Sequence, residues 1–354
     1  MRAARYYGPQ DVRVEEVEPQ SLGPNQVRVE VAACGICGSD LHEYAAGPIT
    51  IPDSPHPVTG ESLPITIGHE FAGTVTEGGD GAEVSTGTEV AVNPIVWCGD
   101  CRYCAEGNYH LCASGGFVGL SGGGGGFAEN VVVSADQVVP LPEAVPVEVA
   151  ALAEPFTVGV HAVERSGLGL GDSVAVFGSG PIGLAVVQAA AATGADPVYV
   201  SEPNPHRREL AEECGADEVL DPTATDPVEY LTERTDGGVD VTFEVAGVEP
   251  SLNQALTSTR SGGTTTIVSL FEEAVSIEPI HLVTAERTVV GTAAFHGGPR
   301  SAEEFGVTLE KFASGAFDPE PLITSRIDLG DVVDEGFERL LDEESDAVKV
   351  LVEP

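Results

Sequence analysis

Hydrophobic and polar positions follow two different rhythms along this chain. Over the first part, short Val-rich runs alternate with polar residues and are broken by Gly and Pro. Residues 26–32, 72–77, 89–92 and 130–133 read as strands, and the close spacing of turn signals between them predicts an irregular, mostly-β domain. After about residue 155 the pattern changes. Apolar runs at 173–177, 197–201, 239–245 and 264–269 predict strands, and helical segments at 182–193, 205–214 and 251–259 fall between them. Strands that alternate with helices predict a parallel, doubly wound α/β sheet. A further amphipathic helix is predicted at 302–314.

Composition narrows the class. Hydrophobic residues make up 42% of 354, enough for sizeable cores in two domains. No segment reaches the roughly 18 uninterrupted apolar residues that span a bilayer. The N-terminus MRAARYYGPQ lacks the apolar core of a signal peptide, so a cytoplasmic location is expected. Asp and Glu number 57 against 16 Lys and Arg, a net charge of −41. Phosphate backbones and anionic membranes are disfavoured as partners, because both need clustered cations. Screening shortens to about 3 Å at 1 M salt, where acidic self-repulsion costs little. A halophilic protein of a salt-rich cytoplasm is expected.

Local chemistry is concentrated in three places. The strand at 173–177 runs into Gly178-Ser179-Gly180-Pro181-Ile182-Gly183, a G-x-G-x-x-G turn that opens a helix. Gly178 allows the tight turn, Gly180 lets the backbone approach a pyrophosphate, and Gly183 lets helix and strand pack closely. Pro181 and Ile182 begin the helix, whose free N–H groups and positive dipole suit phosphate. Glu202 ends the second strand, 19 residues after Gly183. An acid there can bind the ribose hydroxyls of NAD and repel a 2′-phosphate. Arg207 and Arg208 lie nearby and can tolerate such a phosphate, so NADP stays open.

Seven cysteines, an odd count with tight clustering, point to metal ligation rather than disulfides. Cys98, Cys101, Cys104 and Cys112 form C-x2-C-x2-C-x7-C, a set suited to a closed, structural zinc site; an iron–sulfur cluster is the alternative. A second set is dispersed: Cys37 in CGICGSDLH, His69 and Glu70 in GHEFAG, and Glu154 before Pro155. One thiolate, one imidazole and one carboxylate leave a fourth position open for water or a substrate oxygen. Spacing alone does not single out Glu154.

In these residues the chain resembles the zinc-containing medium-chain dehydrogenase/reductase family, over essentially its whole length. The GHE block, the four-Cys lobe and the glycine turn stand in the order expected of that family. The resemblance implies a GroES-like catalytic domain built from residues 1–155 and 295–354, with a Rossmann NAD-binding domain at 156–294. It implies a hydride-transferring enzyme with two Zn²⁺ per chain, acting on a small secondary alcohol or diol. The matching stretches GICGSDLHEY, GPITIP, FVGLSGGGGGF and GVDVTFEVAG put the 2,3-butanediol/acetoin pair foremost. Sorbitol, threonine or glucose oxidation is the sister expectation, and a non-catalytic nucleotide-binding protein the remote one. By position, Cys37, His69 and Glu154 resemble the catalytic zinc ligands, and Glu70 the adjacent acid that can approach the metal. Asp40 resembles the partner of His69, and Ser39 and His42 the proton relay. Phe117, Leu270 and Phe295 are candidate pocket walls. A homodimer or homotetramer is implied.

Overall fold

The structure is a computed structural model that describes residues 1–342 and 345–354. It divides into two compact units: Met1–Glu154 with Phe295–Ser314 and Ile323–Pro354, and Pro155–Ala294 with Gly315–Leu322.

The first unit is built mostly on antiparallel pairing, with Ile323–Asp328 parallel to Lys349–Glu353. Its largest sheet runs, in spatial order, Val138–Pro140, Glu89–Val92, Glu70–Gly78, Gln26–Gly35, Lys349–Glu353 and Ile323–Asp328, and Asn130–Ser134 also pairs with Gln26–Gly35. Along Val27, Val29 and Val31 every second side chain is buried, as expected for a strand with one face in the core. Both chain ends join in: Arg2–Gly8 forms a hairpin with Asp11–Glu16, and Lys349–Glu353 pairs antiparallel with Gln26–Gly35. The strands expected at 26–32, 72–77 and 130–133 run longer in the structure, to Gln26–Gly35, Glu70–Gly78 and Asn130–Ser134, since pairing extends past the apolar stretch.

The second unit carries a six-stranded, all-parallel sheet in the order Glu218–Leu220, Val198–Ser201, Val174–Phe177, Val239–Glu244, Thr259–Ile267 and Thr288–Gly291. Numbered along the chain this is 3-2-1-4-5-6, the doubly wound order with its switch point beside the first strand. VAVF and VYVS are buried at all four positions, which explains why they read as continuous rather than alternating apolar runs. The helix Pro181–Thr193 has Pro at its first position and a left-handed Gly194 just past its end.

Within the expected range 295–354 one stretch groups differently. Gly315–Leu322 groups with the second unit. The cause is local: Asp318 N–H donates to Gln188 Oε1 at 2.6 Å, Gln188 Nε2 donates back to Asp318 O at 2.8 Å, and Phe317 packs on Phe156 with ring centroids 5.6 Å apart. Side chains, invisible to periodicity, decide this.

Candidate active site and cofactor turn

The dispersed set of ligands converges within the first unit. Ligand atoms of Cys37, His69 and Glu70 all lie within 4.8 Å of one another. Cys37 caps the helix Gly38–Ala46. His69 and Glu70 sit at the start of the strand Glu70–Gly78, after the left-handed Gly68 (φ +96°), where a Cβ would press on Cys34 Sγ and the Phe127 ring.

Asp40 ties two of these residues together. Its Oδ2 accepts the Cys37 N–H at 3.0 Å, while its Oδ1 lies 3.5 Å from His69 Nδ1. Both of those latter atoms are buried and lack a hydrogen bond. Asp40 therefore sets which way the ring faces and leaves Nε2 for the metal. Ser39 Oγ stands 3.2 Å from that Nε2. Burial pulls the His69 imidazolium down, but the charges of Asp40 and Cys37 outweigh it and raise its pKa well above the usual range. A polar cluster so arranged suits a divalent cation, which at Nε2 would take the place of a proton while Nδ1 faces Asp40.

Glu154 is 5% exposed but lies outside the 4.8 Å group. Burial pushes its carboxyl up to about 8, opposed by the nearby His69 and reinforced by Glu70. His42, on the next turn of the helix after Ser39, is exposed. Phe117 meets the His69 ring edge-on at 6.0 Å. Phe295 is fully buried against Phe305, with ring centroids 5.1 Å apart. Leu270 lies in the second unit and is 78% exposed.

The four-cysteine lobe is equally well formed. Sγ–Sγ separations are 3.4 Å for Cys112–Cys98, 3.6 Å for Cys101–Cys104 and 3.9 Å for Cys101–Cys112. Disulfide sulfurs would be about 2.05 Å apart. A tetrahedron with metal–sulfur bonds of about 2.3 Å has edges near 3.8 Å, so the spacing fits zinc. Backbone N–H groups of Cys104 and Ala113 hold the Cys101 thiol down to about 6, favouring the thiolate a metal needs.

In the second unit, Gly178 takes φ +99°, and its N–H donates to Ser201 O at 2.9 Å. A Cβ on Gly183 would overlap Gly178 O, whereas one on Gly180 would meet nothing within 4 Å. Pro181 and Ile182 open the helix half-buried. Glu202 is 4% exposed and braces the turn: Oε2 accepts from Ser179 N–H at 2.8 Å and Oγ at 3.3 Å, and Oε1 accepts from Asn204 N–H at 2.8 Å. Arg208 is committed elsewhere, donating to Glu202 O and Pro203 O and pairing with Asp221 at 3.4 Å. Arg207 contributes backbone, its N–H donating to Asn204 Oδ1 and its carbonyl accepting from Ser179 Oγ.

Two buried charges escaped sequence reasoning. Glu244 ends a strand fully buried and accepts from Ala246 N–H, Gly247 N–H, Ser251 Oγ and Ser269 Oγ. Lys349 donates to both oxygens of Glu70 at 2.7 Å. The available signal was an acid that ends, or a lysine that opens, an otherwise apolar strand.

Residues 23–143 match the alcohol dehydrogenase GroES-like domain, and residues 181–313 match the zinc-binding dehydrogenase domain. The two units thus carry a GroES-like fold and a Rossmann fold. The chain is 45% identical to the (R,R)-butanediol dehydrogenase of Bacillus subtilis strain 168, over the full length of both. It is 39% identical to the (R,R)-butanediol dehydrogenase of Neisseria gonorrhoeae, covering all of this chain and 99% of that one. The crystal structure of 2R,3R-butanediol dehydrogenase from Bacillus subtilis matches with a TM-score of 0.93 at 44% identity, covering 100% of this chain and 99% of that one.

Proposed function

The chain belongs to the zinc-binding alcohol dehydrogenase family, and from that premise we propose that it interconverts 2,3-butanediol and acetoin with NAD as hydride carrier. As a member it is an oxidoreductase of small alcohols or diols that uses zinc and a nicotinamide cofactor. The observation that carries the proposal is the meeting of Cys37, His69 and Glu70 within 4.8 Å, with Asp40 Oδ1 3.5 Å from His69 Nδ1.

Cys37, His69 and Glu154 would hold the catalytic ion, and Cys98, Cys101, Cys104 and Cys112 a second, structural one. A bound zinc ion supplies Lewis-acid polarisation of the hydroxyl or carbonyl oxygen. NAD supplies the hydride acceptor, placed by Gly178, Gly180, Pro181, Ile182 and Gly183. The remaining work falls to the chain's side chains. Asp40 fixes the His69 tautomer. Ser39 Oγ takes the proton from the substrate hydroxyl, and His42, exposed on the next turn, passes it to solvent. Glu202, with Arg208 already engaged, favours ribose hydroxyls over a 2′-phosphate. The reduced thiolates of two metal sites suit the cytoplasm.

The test is oxidation of (R,R)-2,3-butanediol, sorbitol, threonine and glucose with NAD or NADP in concentrated KCl, alongside metal analysis. Two zinc ions per chain and a preference for butanediol and NAD are expected. Preference for another of these substrates would overturn the substrate assignment. One zinc retained in Cys37→Ser, with full turnover, would overturn the catalytic role of the first site.

A further inference from the structure

Two carboxylates can reach for one cation at the catalytic centre. Glu70 belongs to the 4.8 Å group with Cys37 and His69, and Glu154, buried, stands outside it. If both entered the inner shell with the thiolate and the imidazole, no position would remain for substrate.

The chain has only two lysines, and one of them, Lys349, is 1% exposed. An ammonium has three donors and needs all of them satisfied when buried. Lys349 Nζ directs them at Glu70 Oε1 and Oε2, both at 2.7 Å, and at Ile36 O, at 2.9 Å. Ile36 immediately precedes Cys37, and its N–H donates to Val350 O at 3.0 Å. The strand of Lys349 and the strand of Glu70 flank the strand Gln26–Gly35 on opposite sides. Gly35 pairs with Glu70 on one side and with Leu351 on the other. A Cβ on Gly35 would overlap Glu70 Oε2, so the missing side chain is what lets lysine and glutamate meet across the middle strand.

We propose that Lys349 is a positioning residue that holds Glu70 out of the metal's inner shell, so that Glu154 supplies the carboxylate ligand and the fourth position stays open to substrate. The charges agree. Lys349 neutralises Glu70, which leaves the Cys37 thiolate and the Glu154 carboxylate to balance a dication. The inference rests on the reading of Cys37 and His69 as metal ligands.

The test uses the cobalt-substituted holoenzyme, whose visible absorption reports coordination number, together with the rate at which zinc is lost to a chelator. Cys37→Ser serves as the control that isolates the catalytic-site signal. In Lys349→Met, Glu70 is freed to ligate. The cobalt bands should weaken toward five-coordination, and zinc release should slow by at least about tenfold, the scale on which neighbours of ligands tune metal affinity. Glu154→Gln should strip the metal from an otherwise unaltered chain but not from Lys349→Met. The double variant Lys349→Met/Glu70→Gln removes both buried charges and should return the cobalt spectrum and zinc release of the unaltered protein. Should Lys349→Met not fold, Lys349→Gln, which keeps a donor for Ile36 O but puts no charge on Glu70, takes its place, and an unchanged spectrum there likewise overturns the proposal. An unchanged spectrum in Lys349→Met, or a double variant whose spectrum departs from that of the unaltered protein, overturns the proposal. A catalytic-site cobalt signal that survives Cys37→Ser overturns the metal reading itself, and the proposal with it.

Discussion

Three glycines of the cofactor turn should fail in two separable ways when each is changed to alanine. At Gly183 the new Cβ would overlap Gly178 O and come within 2.9 Å of Gly178 C, both backbone atoms. The helix Pro181–Thr193 must then move off its strand, at a cost of about 1–3 kcal/mol. For a domain near 150 residues, each 1 kcal/mol lowers the melting temperature by about 2–4 °C. Gly178 combines φ +99° with an Ala246 Cβ 3.0 Å from the added methyl. Left-handed backbone costs a non-glycine residue about 1–2 kcal/mol, so this variant should also melt early. Gly180 is different. Its backbone is extended, at φ −66° and ψ −176°, and nothing lies within 4 Å of the added carbon. Gly180→Ala should therefore melt at or above the temperature of the unaltered protein, since alanine costs less chain entropy to order, by about 0.4–1 kcal/mol. It should nevertheless bind NADH at least tenfold more weakly, equivalent to about 1.4 kcal/mol, because the methyl occupies the approach of the pyrophosphate. The assay is a pair of melting curves with and without NADH, with a fluorescence titration of each variant. Gly180→Ala that bound NADH as tightly as the unaltered chain would refute the placement of the phosphates. Gly183→Ala with an unchanged melting temperature would refute the packing role.

Three further outcomes are expected. Burial holds the Glu154 carboxyl up to about 8, so the folded metal-free chain keeps a proton that the unfolded chain sheds near the ordinary carboxylate range. That contribution to stability is complete at acidic pH and is lost as pH rises through about 8, and zinc must displace the same proton. Zinc affinity of the catalytic site should climb by up to about tenfold per pH unit from this proton between pH 6 and 8; Glu154→Gln should remove that one-proton share of the slope, and an identical slope in the variant would count against ligation by Glu154. Cys101→Ser should lose one zinc by metal analysis and melt earlier while leaving the Cys37 site loaded; retention of both ions would show that the four-sulfur lobe is not a metal site. With 57 acids against 16 bases, melting temperature should rise between 0.1 and 3 M KCl; a flat curve would remove the case for adaptation to salt.

Features that lie close along the chain were legible from the order of residues. The turn Gly178–Gly183 could be read because strand, glycines and helix are consecutive. The Cys98–Cys112 lobe could be read because four thiols within fifteen residues gather with little help from the rest of the fold. The parallel sheet showed itself through unbroken apolar runs such as VAVF and VYVS. The catalytic set was legible only through family likeness, since no spacing rule links positions 37, 69 and 154. Tertiary structure alone decided how the carboxylates divide: Glu70 stands with Cys37 and His69, and Glu154 stands outside them. It alone brought Lys349 onto Glu70, across a middle strand whose Gly35 has no side chain to keep them apart. The physical reason is that sheet register pairs residues hundreds of positions apart. A buried charge finds its partner through that register, and local composition carries no trace of it.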